Sequence, residues 1–172
     1  MSDNPSPRLP FGKIDQVCVV TPDLRQAMER YRALLGLAPW RILGFGPDTV
    51  RELTYRGRPA GYRMLVAFAQ FGALQYELIQ PLEGPTIYHE FLERHPAGGI
   101  HHFGCWVPDL EAALAQARAL GFRVIQGGRG TGLGGDGGFA YLDTEASLGA
   151  ILELIEVPGD RRAPQEIYPA VE

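Results

Sequence analysis

The sequence lacks any long apolar run, since no stretch approaches the ~18 consecutive apolar residues that a membrane-spanning helix requires. Residues 1–10 also lack the apolar segment of a secretory signal peptide. Positive charge is in deficit, with a formal net charge of −4 at pH 7, whereas nucleic-acid binding requires a basic surface that neutralises phosphates. We therefore expect a cytoplasmic protein that binds neither membranes nor nucleic acids.

Cysteine is scarce: the chain has only Cys18 and Cys105, and each lies inside an apolar run. Free cysteine is among the most buried residue types, and disulfides persist mainly in oxidising compartments. We therefore favour two buried thiols in a reducing compartment over a disulfide.

Glycine, by contrast, is abundant, with 22 residues, and many of them fall in one run, Gly127–Gly138. The run does not end in the Gly-Lys-Ser/Thr sequence of a phosphate-binding loop, and no helical pattern follows it. It therefore predicts a long flexible loop, either a lid that closes over a substrate or a disordered hairpin. The remaining composition, 45% hydrophobic and 21% charged, is that of an ordinary globular domain.

The chain contains an internal repeat. An apolar strand pattern followed by Pro-Asp-Leu occurs at residues 14–24 and again, at a constant offset, at residues 100–110. In each copy the Asp carboxylate is suited to cap the first turn of a following helix, and a glycine is suited to end that helix. The two helices predicted in this way are Leu24–Leu35, before Gly36, and Leu110–Leu120, before Gly121.

Short strands separated by glycine-bearing turns follow each helix, so the order strand–helix–strand–strand–strand occurs twice. Neither half is long enough to bury a full core by itself, so the two sheets should close against each other. We predict an α+β fold of tandem βαβββ modules that form a barrel-like cleft. The predicted strands after the helices are Trp40–Leu43, Val50–Tyr55, Tyr62–Phe68, Leu74–Gln80, Arg123–Gln126, Phe139–Asp143 and Ile151–Glu156.

The predicted modules are separated by a short amphipathic helix, Thr86–His95. Because exposed strand edges invite pairing with another chain, we also expect a homodimer. The predicted boundaries are a flexible N-terminal tail (1–10), a first module (11–82), a linker helix (83–98), a second module (99–158) and a C-terminal tail (159–172).

Four polar residues interrupt strands that are otherwise apolar, which is the informative departure from the pattern. Gln16 and His102 occupy equivalent places on the first strand of each half, and Glu77 and Glu153 occupy equivalent places on each last strand. A buried carboxylate needs a positive charge nearby, and one divalent cation shared by all four residues would supply it. This mainly oxygen-bearing set suits Mg²⁺, Mn²⁺, Co²⁺, Ni²⁺ or Zn²⁺, with positions open for water or substrate.

Each of these residues, taken singly, has an ordinary explanation, because a strand glutamate is usually solvent-facing and a lone histidine is usually a satisfied polar residue. The matched positions in both halves favour a shared metal site over four unrelated side chains. His101 should point to the opposite face of its strand from His102, and His89 and His95 in the linker helix should be solvated.

These residues resemble the vicinal oxygen chelate superfamily, which includes glyoxalase I, methylmalonyl-CoA epimerase, extradiol dioxygenases and bleomycin-resistance proteins. The resemblance covers about residues 12–157, and its most specific parts are Gly99–Phe103, Val107–Leu110 and Gly149–Leu154. This layout looks most like methylmalonyl-CoA epimerase and its close relatives. The metal ligands that the resemblance implies are Gln16, Glu77, His102 and Glu153.

The chain departs from the proteins that it resembles at three places. The epimerases usually have a histidine where this chain has Gln16, although eukaryotic glyoxalase I combines Gln, Glu, His and Glu. The stretch Tyr62–Leu65 has no carboxylate where the epimerases carry a second catalytic acid, and Glu52 is the nearby residue that would substitute for it. Val20 stands where glyoxalase I has a glutathione-binding arginine. The resemblance therefore implies the chemistry common to both enzymes rather than either specific activity.

That common chemistry is proton transfer next to a carbonyl that the metal binds, in a lyase or an isomerase. The metal acts as a Lewis acid and stabilises the enolate as it forms, while a carboxylate removes the proton α to the carbonyl of a small acid or thioester. We predict that Glu153 is this base, with Glu77 as the alternative.

Two other functions fit parts of the pattern. A non-catalytic protein of the bleomycin-resistance type would use the fold as an apolar binding cleft, which leaves the four polar residues unexplained. An extradiol dioxygenase would need two histidines and a carboxylate for Fe²⁺, and Gln16 replaces one of those histidines. Stoichiometric metal would favour the enzyme over the binding protein. The aromatic residues expected to line the cleft are Trp40, Phe68, Trp106 and Tyr141.

Overall fold

A computed structural model describes residues 8–9 and 11–170, so most of the predicted N-terminal tail (1–10) lies outside the described residues. The described part of the chain forms eleven strands and four helices. In chain order they are β1 (Gln16–Val20), α1 (Leu24–Leu35), β2 (Trp40–Phe45), β3 (Arg51–Tyr55), β4 (Arg58–Pro59), β5 (Arg63–Phe71), β6 (Leu74–Glu83), α2 (Ile87–Arg94), β7 (Gly99–Trp106), α3 (Leu110–Ala119), β8 (Val124–Arg129), β9 (Gly138–Leu142), α4 (Glu145–Leu148), β10 (Ile151–Glu156) and β11 (Glu166–Tyr168).

All of these strands belong to one sheet, in the order β11-β2-β5-β6-β1-β7-β10-β9-β8-β3-β4. The first module contributes β2-β5-β6-β1 and the second contributes β7-β10-β9-β8, and in each the first strand runs parallel to the last. The predicted α+β arrangement of tandem modules is therefore confirmed. The expectation of two sheets that close against each other is wrong, because β1 and β7 pair antiparallel and merge both modules into one curled sheet.

Both module helices begin at the predicted Pro-Asp step. Asp23 Oδ1 accepts a hydrogen bond from Gln26 N, and Asp109 Oδ1 accepts one from Ala112 N, each at 2.9 Å, which satisfies first-turn N–H groups that have no intrahelical partner. Gly36 then ends α1 with a left-handed φ of 71°, as its predicted role as a C-cap requires. No helix in the described part of the chain is long and apolar enough to span a membrane.

Side chains alternate between two apolar faces along the central strands. On one face, α1 packs on residues such as Leu78, and α3 packs on residues such as Leu154. On the other face, Cys18, Ile79 and Tyr141 pack in a cluster that includes residues of α2. The four predicted metal ligands occupy strand positions in phase with this second face.

The glycine run is only partly a loop. Gly127 and Gly128 lie in β8 and Gly138 lies in β9, so the glycine loop is the shorter segment 130–137. A Cβ at position 127 would lie 2.9 Å from a backbone oxygen of β9, and one at position 128 would lie 2.7 Å from Val50. Glycine therefore permits close packing in β8, where the sequence pattern predicts flexibility.

Two strands make pairings that the repeat does not predict. β3, which the chain inserts between β2 and β5 of the first module, pairs antiparallel with β8 of the second module. β11 lies within the segment 159–172 and pairs antiparallel with β2. Both pairings add strands at the two ends of the shared sheet and connect distant parts of the chain.

The C-terminal strap, which we define as residues 158–168, crosses from the second module to the first. Near its start, Leu133 N in the glycine loop donates a hydrogen bond to Asp160 O at 2.9 Å. At its end, β11 pairs with β2, and Glu166 forms an ion pair with Arg25 of α1 at 2.6 Å. The strap therefore links the two modules across the mouth of the curled sheet.

Candidate active site

A cavity of about 200 Å³ lies inside the curled sheet and beneath the strap. Three buried polar residues, Gln16, Glu77 and Glu153, line it and are only 2%, 7% and 4% exposed. A largely apolar cavity with a few convergent polar groups is typical of a small-molecule site. Its apolar and aromatic lining includes Leu43, Phe45, Met64, Val66, Phe68, Ile79, Trp106, Phe139, Tyr141 and Ile155.

Strand register places three side chains in a row across β6, β1 and β7. Glu77 lies beside Cys18, and Cys18 lies beside His102. The fully buried His102 has its Nε2 atom 3.4 Å from Glu77 Oε2 and 3.2 Å from Glu153 Oε2. The imidazole therefore contacts two carboxylates, one from each module.

A second row places Gln16 of β1 and Glu153 of β10 on either side of Gly104 in β7. A Cβ at position 104 would lie 2.6 Å from Gln16 Oε1, so glycine at this position leaves room for the amide. Residues two apart on a strand share a face, which places Gln16 with Cys18 and Gly104 with His102. The register thus brings all four predicted ligands to one face of four adjacent strands.

One polar atom of each predicted ligand is buried and has no hydrogen-bond partner among the described residues. These atoms are Gln16 Oε1, Glu77 Oε2, His102 Nε2 and Glu153 Oε2. The other amide atom of Gln16 is satisfied, because Nε2 donates to Gln75 Oε1 at 2.9 Å. An unsatisfied buried polar group destabilises a protein by about 1–3 kcal/mol, and native proteins leave few of them. A divalent cation shared by three oxygens and one nitrogen would satisfy all four, so these residues fit a metal site.

The electrostatics of the cluster favour a positive charge at its centre. Burial raises the pKa of Glu77, the nearby imidazole of His102 opposes this effect, and the charge of Glu153 raises the pKa further. Burial alone would lower the pKa of His102, but the nearby carboxylates of Glu153 and Glu77 raise it to about 9. The two carboxylates therefore favour a positive charge between them, which either a protonated imidazole or a bound cation would supply.

Cys18 joins this cluster, although its apolar surroundings in the sequence predict only a core residue. The ligand atoms of Cys18, Glu77 and His102 all lie within 4.8 Å of one another, close enough to hold a metal ion. Both cysteines are buried and free, as predicted. Burial and the charges of Glu77 and Glu153 raise the pKa of the Cys18 thiol, which favours the protonated form rather than the ligating thiolate. The one signal for Cys18 in the sequence is its place two residues after Gln16.

Three arginines line the mouth of the cavity: Arg41 of β2 and Arg161 and Arg162 of the strap. None of the three forms an ion pair with a carboxylate of the described residues. Arg162 Nε donates to Thr131 O at 3.3 Å, which anchors that side chain to the glycine loop. The cavity therefore combines carboxylates at its buried end with unpaired positive charge at its mouth.

Comparison with known proteins identifies the family. Residues 15–141 match the family model described as the Glyoxalase/Bleomycin resistance protein/Dioxygenase superfamily. The chain belongs to this superfamily. An ethylmalonyl-CoA/methylmalonyl-CoA epimerase of Cereibacter sphaeroides is 30% identical over 118 residues, which are 69% of this chain and 78% of the relative. A mitochondrial methylmalonyl-CoA epimerase of Dictyostelium discoideum is 24% identical over 149 residues, which are 87% of this chain and 81% of the relative.

Solved structures of epimerases show the same superfamily fold. Methylmalonyl-CoA epimerase from Mycobacterium tuberculosis matches with a TM-score of 0.62 at 24% identity, covering 86% of this chain and 90% of that chain. A variant of Streptomyces coelicolor methylmalonyl-CoA epimerase in complex with 2-nitronate-propionyl-CoA matches with a TM-score of 0.61 at 21% identity, covering 89% of this chain and 99% of that chain. The resemblance inferred from the repeat, and the vicinal oxygen chelate fold that it implies, are confirmed.

Trp40 does not line the cavity of this superfamily member, contrary to the expectation for an aromatic cleft. It is fully buried on the helix side of the sheet, with its ring 6.4 Å from that of Tyr31 of α1 in an edge-on arrangement. The other three residues of the expected cleft, Phe68, Trp106 and Tyr141, do line the cavity. The reason is strand alternation, which turns Trp40 toward α1.

Glu52 does not replace the acid that is missing from Tyr62–Leu65. It is exposed at an irregularity in the β3–β8 pairing, has a φ of 52° and does not line the cavity. Tyr62 is buried, and its hydroxyl donates to a backbone carbonyl of β8 at 3.1 Å. The carboxylates that line the cavity are Glu77, Glu153 and Glu156, and Glu156 Oε2 already accepts a hydrogen bond from the first residue of α3 at 2.9 Å.

Proposed function

We propose that this protein is a metal-dependent, epimerase-like enzyme that moves the proton α to the carbonyl of an acyl-CoA thioester. The observation that carries the proposal is the set of four unpartnered polar atoms beside a largely apolar cavity. The names of the relatives support the substrate class, because they are epimerases of ethylmalonyl-CoA and methylmalonyl-CoA.

Gln16, Glu77, His102 and Glu153 would hold one divalent cation, either Zn²⁺, Ni²⁺, Co²⁺, Mn²⁺ or Mg²⁺. When bound, such a cation supplies Lewis acidity, which stabilises negative charge that develops on a carbonyl oxygen. The four side chains come from β1, β6, β7 and β10 and so from both modules. The site therefore forms only when the shared sheet is complete.

Glu153 is our candidate for the base that removes the α proton. Its carboxylate lines the cavity and reaches the cluster from the second module, with Oε2 3.2 Å from His102 Nε2. An epimerase must also return a proton to the opposite face of the α carbon. Glu77 is suited to that second role, because it lines the same cavity from the first module. The apolar walls exclude water, which strengthens electrostatic interactions inside the cavity.

The decisive experiment measures hydrogen exchange in methylmalonyl-CoA and ethylmalonyl-CoA. Protein reconstituted with each of the five ions is incubated with either thioester in D₂O, and deuterium at the α carbon is followed by mass spectrometry. We expect incorporation with at least one ion, its loss in the presence of a chelator, and its return when the ion is restored. Tight thioester binding without exchange would instead indicate a binding protein, and oxygen uptake with a catechol would indicate a dioxygenase.

The arginines at the cavity mouth are expected to bind the phosphates of coenzyme A, since guanidinium groups pair well with phosphate. Replacing Arg161 and Arg162 together by Gln should raise KM for methylmalonyl-CoA about tenfold or more and leave kcat nearly unchanged, because a hydrogen bond to a charged group contributes about 1.5–3 kcal/mol. Steady-state kinetics at low and high salt measures both parameters, and the variant should be the less salt-sensitive.

Arg118→Gln is the matched control for this double variant. Arg118 is exposed on α3 and does not line the cavity, so its replacement should leave KM unchanged. An unaltered KM in the Arg161→Gln, Arg162→Gln protein would show that the phosphates bind elsewhere.

A further inference from the structure

His101 is a buried histidine to which the proposed chemistry gives no role. It is only 7% exposed, and its Nδ1 atom lies 2.9 Å from Nδ1 of His102. Adjacent strand residues ordinarily point to opposite faces, but His101 occupies a bulge in the β1–β7 pairing: Cys18 pairs with His102 and the next residue of β1 pairs with Ile100. A bulge re-aims a side chain, so the expectation that the two histidines point away from each other is wrong.

The distance between the two Nδ1 atoms determines how many protons lie between them. Two protonated nitrogens would repel each other at 2.9 Å, as would two lone pairs, so one nitrogen donates and the other accepts. His102 Nε2 faces the carboxylates of Glu77 and Glu153. If this Nε2 is to present its lone pair to a cation, the proton of the neutral ring must be on Nδ1. His102 Nδ1–H then donates, and His101 Nδ1 accepts.

The surroundings of His101 hold its ring in the orientation that this hydrogen bond requires. The ring lies edge-on to Phe91 of α2, with centroids 5.1 Å apart and planes at 88°, and its centroid is 5.5 Å from that of Tyr88. Helix α2 thus fixes His101, and His101 is placed to fix His102.

We propose that His101 is a positioning residue that accepts a hydrogen bond from His102 Nδ1–H and so holds His102 in the tautomer whose Nε2 binds the metal. The inference rests on the proposed metal site. Partners that orient a metal-binding histidine in this way typically change metal affinity by about 10–100-fold when they are removed.

Two replacements of nearly equal size separate the hydrogen bond from packing. In His101→Asn the Oδ1 atom takes a place close to that of Nδ1 and accepts a hydrogen bond, whereas His101→Leu has the same branching but no acceptor. We expect His101→Leu to bind Zn²⁺ and Co²⁺ about 10–100-fold more weakly than the unmodified protein and His101→Asn to retain most of the affinity. Glu93→Gln, at an exposed residue of α2, is the control and should bind both ions normally.

A second measurement does not depend on activity. In the zinc-loaded unmodified protein, NMR should show a His102 Nδ1–H proton that exchanges slowly with solvent; it should persist in His101→Asn and be lost in His101→Leu. Equal metal affinity in His101→Leu and the unmodified protein would overturn the inference alone, as would equal weakening in the Asn and Leu variants. An unmodified protein that binds none of the five ions would overturn both the proposed metal site and the role of His101.

Discussion

Glu153→Gln is expected to lower the rate of α-proton exchange in methylmalonyl-CoA by about 10³-fold, since general-base catalysis typically contributes about 10²–10⁴-fold. Glutamine has nearly the same shape as glutamate and retains an oxygen that can bind a metal, so the fold and most of the substrate affinity should persist. Deuterium incorporation measured on metal-loaded protein, with the metal content determined on the same sample, separates loss of the base from loss of the ion.

Glu156→Gln is the control for this variant, because Glu156 also lines the cavity from β10 but its Oε2 atom accepts a hydrogen bond from α3. Its exchange rate should stay within a few-fold of that of the unmodified protein. If metal-loaded Glu153→Gln exchanged the α proton at the unmodified rate, Glu153 would not be the base. The corresponding Glu77→Gln variant would then be the one to examine.

The second large effect is expected for the metal itself. Protein purified without chelator, or reconstituted with metal, should contain one divalent ion per chain. The His102→Ala variant should bind that ion at least about 100-fold more weakly, because it lacks the nitrogen ligand of the proposed set. Metal analysis and calorimetric titration measure this. The ion should also raise the Tm of the unmodified protein, since binding to the folded state stabilises it by mass action.

Removal of His102 leaves two buried carboxylates without their partner, which can destabilise a protein by about 3–5 kcal/mol. A second variant is therefore needed in case His102→Ala does not fold. His102→Gln keeps a polar side chain between Glu77 and Glu153 and should fold even if His102→Ala does not.

Cys18→Ala tests whether the metal is held by the four proposed ligands or by the cluster that contains Cys18. We expect it to retain the ion, and loss of metal in Cys18→Ala together with retention in Glu153→Gln would identify Cys18, Glu77 and His102 as the ligands.

The sequence predicts those features that depend on short-range interactions, such as helix caps, and on the equivalence of the two repeats. The Pro-Asp steps at Asp23 and Asp109 predict where the two module helices begin, because a helix cap is a short-range interaction. The matched places of Gln16 and His102 predict that they share a sheet face, since alternation along equivalent strands puts equivalent residues in phase. Three assignments remain predictions: the four metal ligands, the catalytic base and the homodimer.

The features that could not be predicted depend on contacts between distant segments. The pairing of β3 with β8 leaves no trace in either strand's own pattern, and neither does the pairing of β11 with β2. The arginines at 161 and 162 fall in a segment without periodicity, so nothing in the sequence relates them to the cavity. The contact between His101 and His102 required a bulge, and a strict alternation of faces predicts the opposite.

The C-terminal strap also has a consequence for how the chain folds. Arg25 and Glu166, which the strap brings into contact, are separated by 141 residues in the sequence, and contacts this distant form slowly because a long loop must close first. While the chain is being synthesised, the outer edge of β2 therefore has no partner from β11 until residues 166–168 have left the ribosome. During that interval β2 presents an open backbone edge to other nascent chains, and the pairing with β11 closes that edge.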